Sequence, residues 1–323
     1  MRSPAAAAQI AAVLTGPRAV ELRETAPPSP EPNQVVIRLE GSGVCGSDLP
    51  AWEGRPWTRY PLEPGGPGHE GWGVVEEVGP RVTRIAPGRR VAVISHHAYA
   101  RYGVADESAV VALPDEVTGP FPGEAVGCAM NVWERARATP EHTIAVVGIG
   151  FIGALLVRLA ASWGARVIAL SRRDFALKVA LSAGASEVIE LSEDNAASAV
   201  EELTSGEMCD VVIEAAGKQQ TLDVAAALVK VRGHLVIAGY HQDGPRTVDM
   251  QSWNWRGLDV TNAHERDVSA YVAGVTRGAR AVADGTLDVA SLITHEFELD
   301  RLGDAFDIAI ERPEGFLKAV VRA

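Results

Sequence analysis

The first part of the chain alternates short hydrophobic segments with turn residues. Strand-like runs, rich in β-branched residues, occur at 35–39, 73–79 and 90–94. Four prolines between positions 27 and 32 mark a loop before the first run, because proline lacks the amide hydrogen that pairing in a strand requires. Short strands separated by glycine and proline are typical of antiparallel sheets, and we predict a barrel-like one here.

From about Thr143 the hydrophobic pattern changes its period. Short continuous apolar runs now alternate with segments whose apolar positions recur every three to four residues. Strands are predicted at 144–147, 166–170, 187–191, 211–213 and 234–238, and helices at 154–161, 175–183 and 222–231. This alternation is typical of a parallel, doubly wound α/β sheet. A helix over 268–284 and a strand over 317–321 close the chain.

Composition narrows the class of protein. The chain has 323 residues, of which 47% are hydrophobic, and a formal net charge of −12. Nucleic acid is not an expected partner, since the arginine pairs at 89–90 and 172–173 are far from a polybasic patch. The sequence contains no run of about 18 apolar residues, so no membrane span is predicted. Residues 1–4 and the alanines after them lack the apolar centre of a signal peptide, so we expect a frayed terminus and a cytoplasmic protein.

A glycine-rich turn follows the strand predicted at 144–147. Gly148-Ile149-Gly150-Phe151-Ile152-Gly153 has the spacing G-x-G-x-x-G and leads into a predicted helix. The first glycine allows the tight turn, the second lets the backbone approach a pyrophosphate, and the third lets the helix pack on the sheet. The N-terminus of the helix then offers free N–H groups to the phosphates. We predict a dinucleotide-binding site.

The end of the next strand bears on which dinucleotide binds. NAD enzymes usually place an acidic residue there to bind the ribose 2′-hydroxyl, but this strand ends in Ser171-Arg172-Arg173. A hydroxyl and guanidinium groups can bind a 2′-phosphate, which a carboxylate would repel. We therefore favour NADP(H). The alternative is that both arginines lie in solvent and Asp174 binds the ribose of NAD(H).

A second set of residues has the chemistry of a metal site. The chain has three cysteines at wide spacing, which predicts metal ligands or core thiols rather than a disulfide framework. Cys45, His69 and Cys128 come from three separate segments and offer thiolate and imidazole donors. Three protein ligands leave a fourth position open, as a catalytic zinc requires. Each residue also has a structural alternative, since a free cysteine is commonly a small buried apolar residue.

These motifs together resemble the zinc-containing medium-chain dehydrogenase/reductase family over essentially the whole chain. The likeness rests on Gly43-Val44-Cys45-Gly46-Ser47-Asp48, on the segment 65–71 around Gly68-His69-Glu70, and on the glycine turn. The resemblance implies that Cys45, His69 and Cys128 bind a catalytic zinc and that Glu70 is a ligand in some states. It further implies that Ser47 contacts the alcohol and that Asp48 orients the histidine.

The same resemblance implies the architecture and the reaction. A GroES-like β-barrel catalytic domain would cover residues 1–129 and 263–323, and a Rossmann cofactor domain residues 130–262. Zinc would lower the pKa of a substrate hydroxyl, and a hydride would pass to the nicotinamide. Lys318 occupies a position where the family often keeps a cation near the cofactor phosphates. The family's pairing of cofactor domains implies a homodimer or homotetramer.

Three features depart from the family pattern: the cysteines, the proton relay and the overall length, which is on the short side for the family. The four-cysteine cluster that binds a second, structural zinc in many members is missing, so we expect one zinc per chain and a shorter catalytic domain. Leu49-Pro50 stands where the family's proton relay often continues to a histidine, and proline cannot carry a proton. His97 could replace that histidine, although we favour a position lining the pocket or in solvent.

The substrate is less well indicated. Trp52 follows the metal loop and could form a wall of the pocket with Trp57, or these aromatics could pack on the barrel. The resemblance to the polyol branch of the family favours a small-molecule secondary alcohol such as a polyol, cyclitol or sugar alcohol, or its carbonyl counterpart. Two alternatives stay open: a metal-free quinone or enoyl reductase of the same fold, and a nucleotide-binding sensor protein without turnover.

Overall fold

The computed structural model describes residues 8–192 and 195–323, so the expectation for residues 1–4 lies outside it. The strands of the described chain are β1 (Gln9–Gly16), β2 (Ala19–Thr25), β3 (Gln34–Gly43), β4 (Glu70–Val78), β5 (Arg90–Val93), β6 (Tyr102–Asp106), β7 (Val110–Ala112), β8 (Thr143–Val147), β9 (Arg166–Ser171), β10 (Glu187–Glu190), β11 (Cys209–Glu214), β12 (Val229–Ile237), β13 (Asp259–Asn262), β14 (His295–Glu298) and β15 (Ala319–Arg322). The helices are α1 (Leu49–Glu53), α2 (Gly123–Ala136), α3 (Phe151–Ser162), α4 (Asp174–Ser182), α5 (Ala196–Leu203), α6 (Gln219–Leu228), α7 (Met250–Arg256), α8 (Val268–Ala283) and α9 (Leu302–Glu311).

The chain divides into two compact units. The first comprises residues 1–127, 267–284 and 288–323, and the second comprises residues 128–266 and 285–287. The division falls within helix α2, between Gly127 and Cys128. The predicted two-domain α/β fold is confirmed.

The first unit is built on a seven-stranded, mainly antiparallel sheet. Its strand order is β14-β15-β3-β4-β5-β7, with β6 paired to β3, and β14 with β15 is the parallel pair. Strand β3 is central because it pairs with β4, β6 and β15. Its last residue, Gly43, lies opposite Glu70, the first residue of β4. This pairing brings the ends of the two predicted metal segments together.

The second unit contains a six-stranded parallel sheet in the order β10-β9-β8-β11-β12-β13. Residues 144–147 of β8 are completely buried, as expected for a central strand covered by helices on both faces. The chain leaves β8 toward β9 on one side and returns to β11 on the other. The carboxyl end of β8 is therefore a topological switch point, where doubly wound sheets bind their ligands.

The bounds of several predicted elements shift by a few residues, and one predicted helix changes to a strand at its end. The helix predicted over 222–231 ends at Leu228, and residues from Val229 onward form β12, whose Val229 is paired with Cys209 of β11. Valines favour the strand, and Arg256 donates hydrogen bonds to the carbonyl oxygens of Ala226 and Val229 at this helix end. The strand predicted over 317–321 starts at Ala319 and continues to Arg322.

Within the described residues, no helix combines the length and the apolar character needed to cross a membrane.

Candidate metal and cofactor sites

A cluster of three potential metal ligands lies in the first unit. One ligand atom each from Cys45, His69 and Glu70 lies within 4.8 Å of the other two. Cys45 follows the end of β3, whereas His69 and Glu70 lie at the start of β4, so the pairing of these strands creates the cluster. Thiolate, imidazole and carboxylate are all donors that zinc accepts.

Glu70 has the features of a carboxylate that is built for a cation. It is completely buried, and its Oε1 accepts a hydrogen bond from Lys318 Nζ at 2.8 Å. Its Oε2 lies 2.5 Å from the same nitrogen, so both oxygens face the Lys318 ammonium. Gly43 makes room for this oxygen, because a Cβ at that position would lie 1.8 Å from Oε2. With the thiolate of Cys45 and the imidazole of His69, this carboxylate gives a donor set that fits a zinc ion.

His69 is oriented so that one ring nitrogen faces away from the protein framework. Its Nδ1 lies 3.2 Å from Asp48 Oδ1 and 3.1 Å from the carbonyl oxygen of Pro67. Its Nε2 lies 3.4 Å from Ser47 Oγ and 3.9 Å from Glu124 Oε2. Burial acts to lower the pKa of His69, but the charges of Asp48 and Cys45 outweigh it and hold this pKa well above its usual range.

Asp48 is buried and receives several hydrogen bonds. Its Oδ2 accepts from the backbone N–H of Cys45 at 3.1 Å and from the hydroxyl of Tyr99 at 2.6 Å. Burial, together with the neighbouring Asp48 charge, holds the pKa of Tyr99 well above its usual range, so the hydroxyl stays a donor. Asp48 therefore connects both metal segments, as an orienting role would require.

Lys318 differs in placement from the sequence prediction. Its side chain is buried, and Nζ donates to Val44 O at 2.9 Å as well as to Glu70. Burial acts to lower its pKa, but the Glu70 charge outweighs this, and the pKa is raised. The ammonium is thus already neutralised by a carboxylate of the metal cluster. This arrangement does not fit the predicted contact with cofactor phosphates.

The structure adds Glu124 to the candidates and leaves Cys128 outside the cluster found among the described residues. Glu124 lies at the start of α2, and its carboxylate reaches toward His69 Nε2. Cys128 is half-buried on the same helix and begins the second unit. Its role as a ligand stays a prediction. The signal that could have revealed Glu124 is its spacing, since residues four apart in a helix share a face.

Trp52 and His97, the two residues predicted to line the substrate pocket, lie in different surroundings from those of a pocket wall. Trp52 is buried in the core, where its ring packs 5.3 Å from that of Phe306 and its Nε1 donates to Asp307 at 2.7 Å. The pocket-wall prediction for Trp52 is therefore wrong, and the alternative that it packs on the barrel holds, because helix α1 turns this side chain inward. His97 is exposed and lies 3.5 Å from Glu63 Oε2, which fits the solvated position.

His96, which the sequence analysis did not name as a candidate, interacts electrostatically with His69 of the metal cluster. Its pKa is lowered by burial first and then by the charge of His69.

In the second unit, the glycine turn has the geometry of a dinucleotide site. Gly148 has φ of 100°, and a Cβ there would lie 2.8 Å from that of Ala216. A Cβ at Gly150 would meet nothing within 4 Å, so the space beside it is open to a ligand. A Cβ at Gly153 would lie 2.2 Å from the carbonyl oxygen of Gly148. Gly150 caps the N-terminus of α3, while Ile149 and Phe151 are buried and Ile152 is half-buried.

The residues after β9 lie close to this turn. Arg173 donates from its guanidinium to the carbonyl oxygen of Ile149 at 3.3 Å, and its backbone N–H donates to Ser171 Oγ at 3.3 Å. Arg172 is exposed. Asp174, the alternative ribose ligand, is exposed and pairs with Lys178 at 2.5 Å. A basic group thus borders the turn, whereas Asp174 is engaged along its own helix.

Comparisons with known proteins identify dehydrogenase domains in this chain. Residues 31–115 match the alcohol dehydrogenase GroES-like domain, and residues 152–271 match the zinc-binding dehydrogenase domain. The chain is 26% identical to L-threonine 3-dehydrogenase of Pyrococcus horikoshii, over 89% of this chain and 91% of that protein. It is 25% identical to sorbitol dehydrogenase of Bacillus subtilis, over 96% of each. The fold matches a protein of Sinorhizobium meliloti, described as a zinc-binding dehydrogenase bound to NADP, with a TM-score of 0.85, 24% identity and coverage of 98% and 100%.

Proposed function

The chain belongs to the zinc-containing medium-chain dehydrogenase/reductase family, and from this premise we propose that it is a zinc-dependent alcohol dehydrogenase using NADP(H). The observation that carries the proposal is the cluster of Cys45, His69 and Glu70, whose ligand atoms lie within 4.8 Å of one another. The donor set supports this assignment, because thiolate, imidazole and carboxylate are all ligands that zinc accepts. The relatives are named as dehydrogenases, so the general class of oxidoreductase is established.

The proposed centre holds one zinc ion per chain. Cys45 and His69 Nε2 are two donors, and Glu124 is the carboxylate nearest to that nitrogen among the contacts of His69. Cys128 is the further donor that the sequence predicts. Glu70, held by Lys318, is the donor that can join the metal in some states. When bound, zinc supplies a Lewis acid that lowers the pKa of the substrate hydroxyl.

The residues of the chain then position groups and move a proton. Asp48 Oδ1, at 3.2 Å, and the carbonyl oxygen of Pro67, at 3.1 Å, both face His69 Nδ1 and so keep Nε2 directed at the metal position. Ser47 is half-buried with its hydroxyl 3.4 Å from His69 Nε2, which suits it to accept the proton of the substrate hydroxyl and pass it outward. Because Pro50 cannot continue a relay, the proton leaves Ser47 toward solvent.

The preference for NADP(H) is proposed from the residues that follow β9 and lie beside the glycine turn. The Arg173 guanidinium lies against Ile149 O, and Arg172 and Ser171 adjoin it, which supports binding of a 2′-phosphate.

A secondary alcohol on a small hydroxylated molecule is the proposed substrate class. The names of the relatives, which include sorbitol and threonine dehydrogenases, support it. A panel of polyols, cyclitols and simple alcohols, scored by kcat/KM, tests this class. Turnover confined to quinones or enoyl compounds would contradict it.

Metal analysis with cysteine variants tests the central claim. We expect about one zinc per chain in protein purified without chelator. Cys45→Ser should lose the metal and alcohol oxidation together. Cys209→Ser is the matched control, because burial raises the pKa of that thiol to about 12 and leaves it a protonated core residue. Wild-type protein without metal, or Cys45→Ser with full activity, would contradict the proposal. Parallel variants Cys128→Ser and Glu124→Gln identify the third donor by their zinc content.

Cofactor titrations test the dinucleotide assignment. Wild-type protein should bind NADPH more tightly than NADH, and Arg173→Ala should reduce that preference by about 10-fold, the loss expected for one charge-assisted hydrogen bond. Arg158→Ala, on the outer side of α3, is the control and should leave the ratio unchanged. Tighter binding of NADH by the wild type would favour Asp174 as the ribose ligand.

A further inference from the structure

A buried tyrosine lies directly behind the metal segments of the first unit. The hydroxyl of Tyr99 donates to Asp48 Oδ2 at 2.6 Å, and Gly43 O lies 3.2 Å from the same hydroxyl. The phenol has a single hydrogen, and the shorter distance and the negative charge make Asp48 its principal acceptor.

The two oxygens of Asp48 have separate tasks. Oδ2 accepts from Tyr99 and from the Cys45 backbone N–H at 3.1 Å, whereas Oδ1 lies 3.2 Å from His69 Nδ1. Rotation of the carboxylate would break both hydrogen bonds at Oδ2. The donors at Oδ2 therefore keep Oδ1 facing the histidine.

Tyr99 is itself held firmly. Its backbone N–H donates to Gly65 O at 3.0 Å, and its carbonyl oxygen accepts from Ala12 N at 2.9 Å. Its ring packs edge-on against Phe306 with the centroids 5.6 Å apart. Gly68, the residue before His69, permits this position, since a Cβ there would lie 2.8 Å from the Tyr99 ring. The loop that carries His69 and the tyrosine are thus fitted to each other.

We propose that Tyr99 is a positioning residue of the metal centre, whose hydroxyl fixes the carboxylate of Asp48 and, through it, the ring of His69. The inference rests on the proposed zinc-dependent function. Direct partners of metal ligands, such as Asp48, typically change metal affinity by about 10–100-fold when they are removed, and we expect Tyr99, one step further out, to lie at the lower end of this range.

Tyr99→Phe removes the hydroxyl and retains the ring. We expect zinc affinity, measured by competition with a chelator, to fall by about 10-fold. The visible absorption spectrum of the cobalt-substituted protein should shift because the histidine ligand is less well oriented. Tyr102→Phe is the matched control, since Tyr102 is a buried tyrosine of the same unit on strand β6, and it should leave both readouts unchanged.

A double-mutant cycle separates this role from general packing. If Tyr99 acts through Asp48, Tyr99→Phe should have little further effect on zinc affinity in an Asp48→Ala background. An equal loss in both backgrounds, or a Tyr99→Phe protein with unchanged affinity and an unchanged cobalt spectrum, would overturn the inference while leaving the zinc enzyme intact. A wild-type protein that binds no zinc would overturn the proposed function as well, so the two failures are distinguishable.

Discussion

Glu70 and Lys318 form an ion pair that is almost completely removed from water, with exposures of 0% and 5%. Removing two charges from water costs free energy, and their mutual attraction offsets only part of that cost. The pair is therefore better understood as a way of holding a carboxylate beside the metal position than as a source of stability. Substitution of one partner should be strongly destabilising, because the other would then be an uncompensated buried charge.

Lys318→Met should lower the free energy of unfolding by about 3 kcal/mol, because Glu70 is then buried without a partner. Adding Glu70→Gln to this variant should recover most of the loss, since no charge remains to be compensated. Urea unfolding of the metal-free proteins measures both effects. A Lys318→Met protein as stable as the wild type would show that the ion pair is not maintained in solution.

Among the elements, the glycine turn after β8 shows how the same residue type serves different purposes. Gly153 is required because its Cα approaches the Gly148 carbonyl oxygen, whereas the space beside Gly150 is open. The first constraint belongs to the packing of α3 on the sheet. The second has no structural purpose within the described protein and is explained by the approach of a ligand.

This contrast predicts different outcomes for two otherwise identical substitutions. Gly153→Ala should lower both thermal stability and NADPH affinity, since the turn must open to relieve the clash. Gly150→Ala should leave the stability of the free protein within about 0.5 kcal/mol and still weaken NADPH binding. Thermal unfolding and fluorescence titration distinguish the two. Equal NADPH affinity of Gly150→Ala and the wild type would contradict a pyrophosphate site at this turn.

The segment between β5 and β6 shows a second effect at the level of elements. It is short and without cysteine, as the sequence indicates, and it packs on the metal loop through Ala98 N to Gly68 O at 2.9 Å. Gly65, with φ of 84°, would clash with the carbonyl of His97 if it carried a side chain. The close fit of these segments is what places Tyr99 behind Asp48. The number of zinc ions per chain stays a prediction.

At the scale of the whole molecule, one edge of the second unit's sheet is a candidate contact between copies. Strand β13 is the last strand in the order and is largely exposed, including Val260 at 40%. Helix α7, which precedes it, exposes Trp255 at 90% and Met250 at 52%. Exposed edge strands with apolar neighbours readily pair with another chain. We propose that two copies associate through β13 as a homodimer, from which a tetramer could be built.

Val260→Lys should shift the protein toward monomer, because a charged side chain on an edge strand opposes pairing. Sedimentation velocity at several protein concentrations measures the shift. Leu181→Lys places the same charge at an exposed apolar residue of this unit on α4, which packs on β9 and β10 at the other end of the sheet, and should leave the assembly unchanged. A wild-type protein that is monomeric at all concentrations would refute the proposal.

Local patterns in the sequence were sufficient for the α/β fold class, and they indicated the candidate sites. The change from short strands to alternating strands and helices at Thr143 follows from hydrophobic periodicity, which neighbouring residues determine. The glycine turn and the two metal segments are likewise short motifs whose spacing carries the chemistry. For these features, residues close in sequence are sufficient.

The tertiary structure decided the contacts between residues that are far apart in the sequence. Lys318 meets Glu70, Glu124 approaches His69 and Tyr99 reaches Asp48 across 248, 55 and 51 positions (318 − 70, 124 − 69 and 99 − 48). No local pattern contains such pairings, because they depend on strand register and on where a helix begins. For the same reason Trp52, which the sequence alone could place in a pocket or on the barrel, lies in the core against Phe306. The sequence by itself determined which chemical groups are present, and only the tertiary structure decided which of them meet.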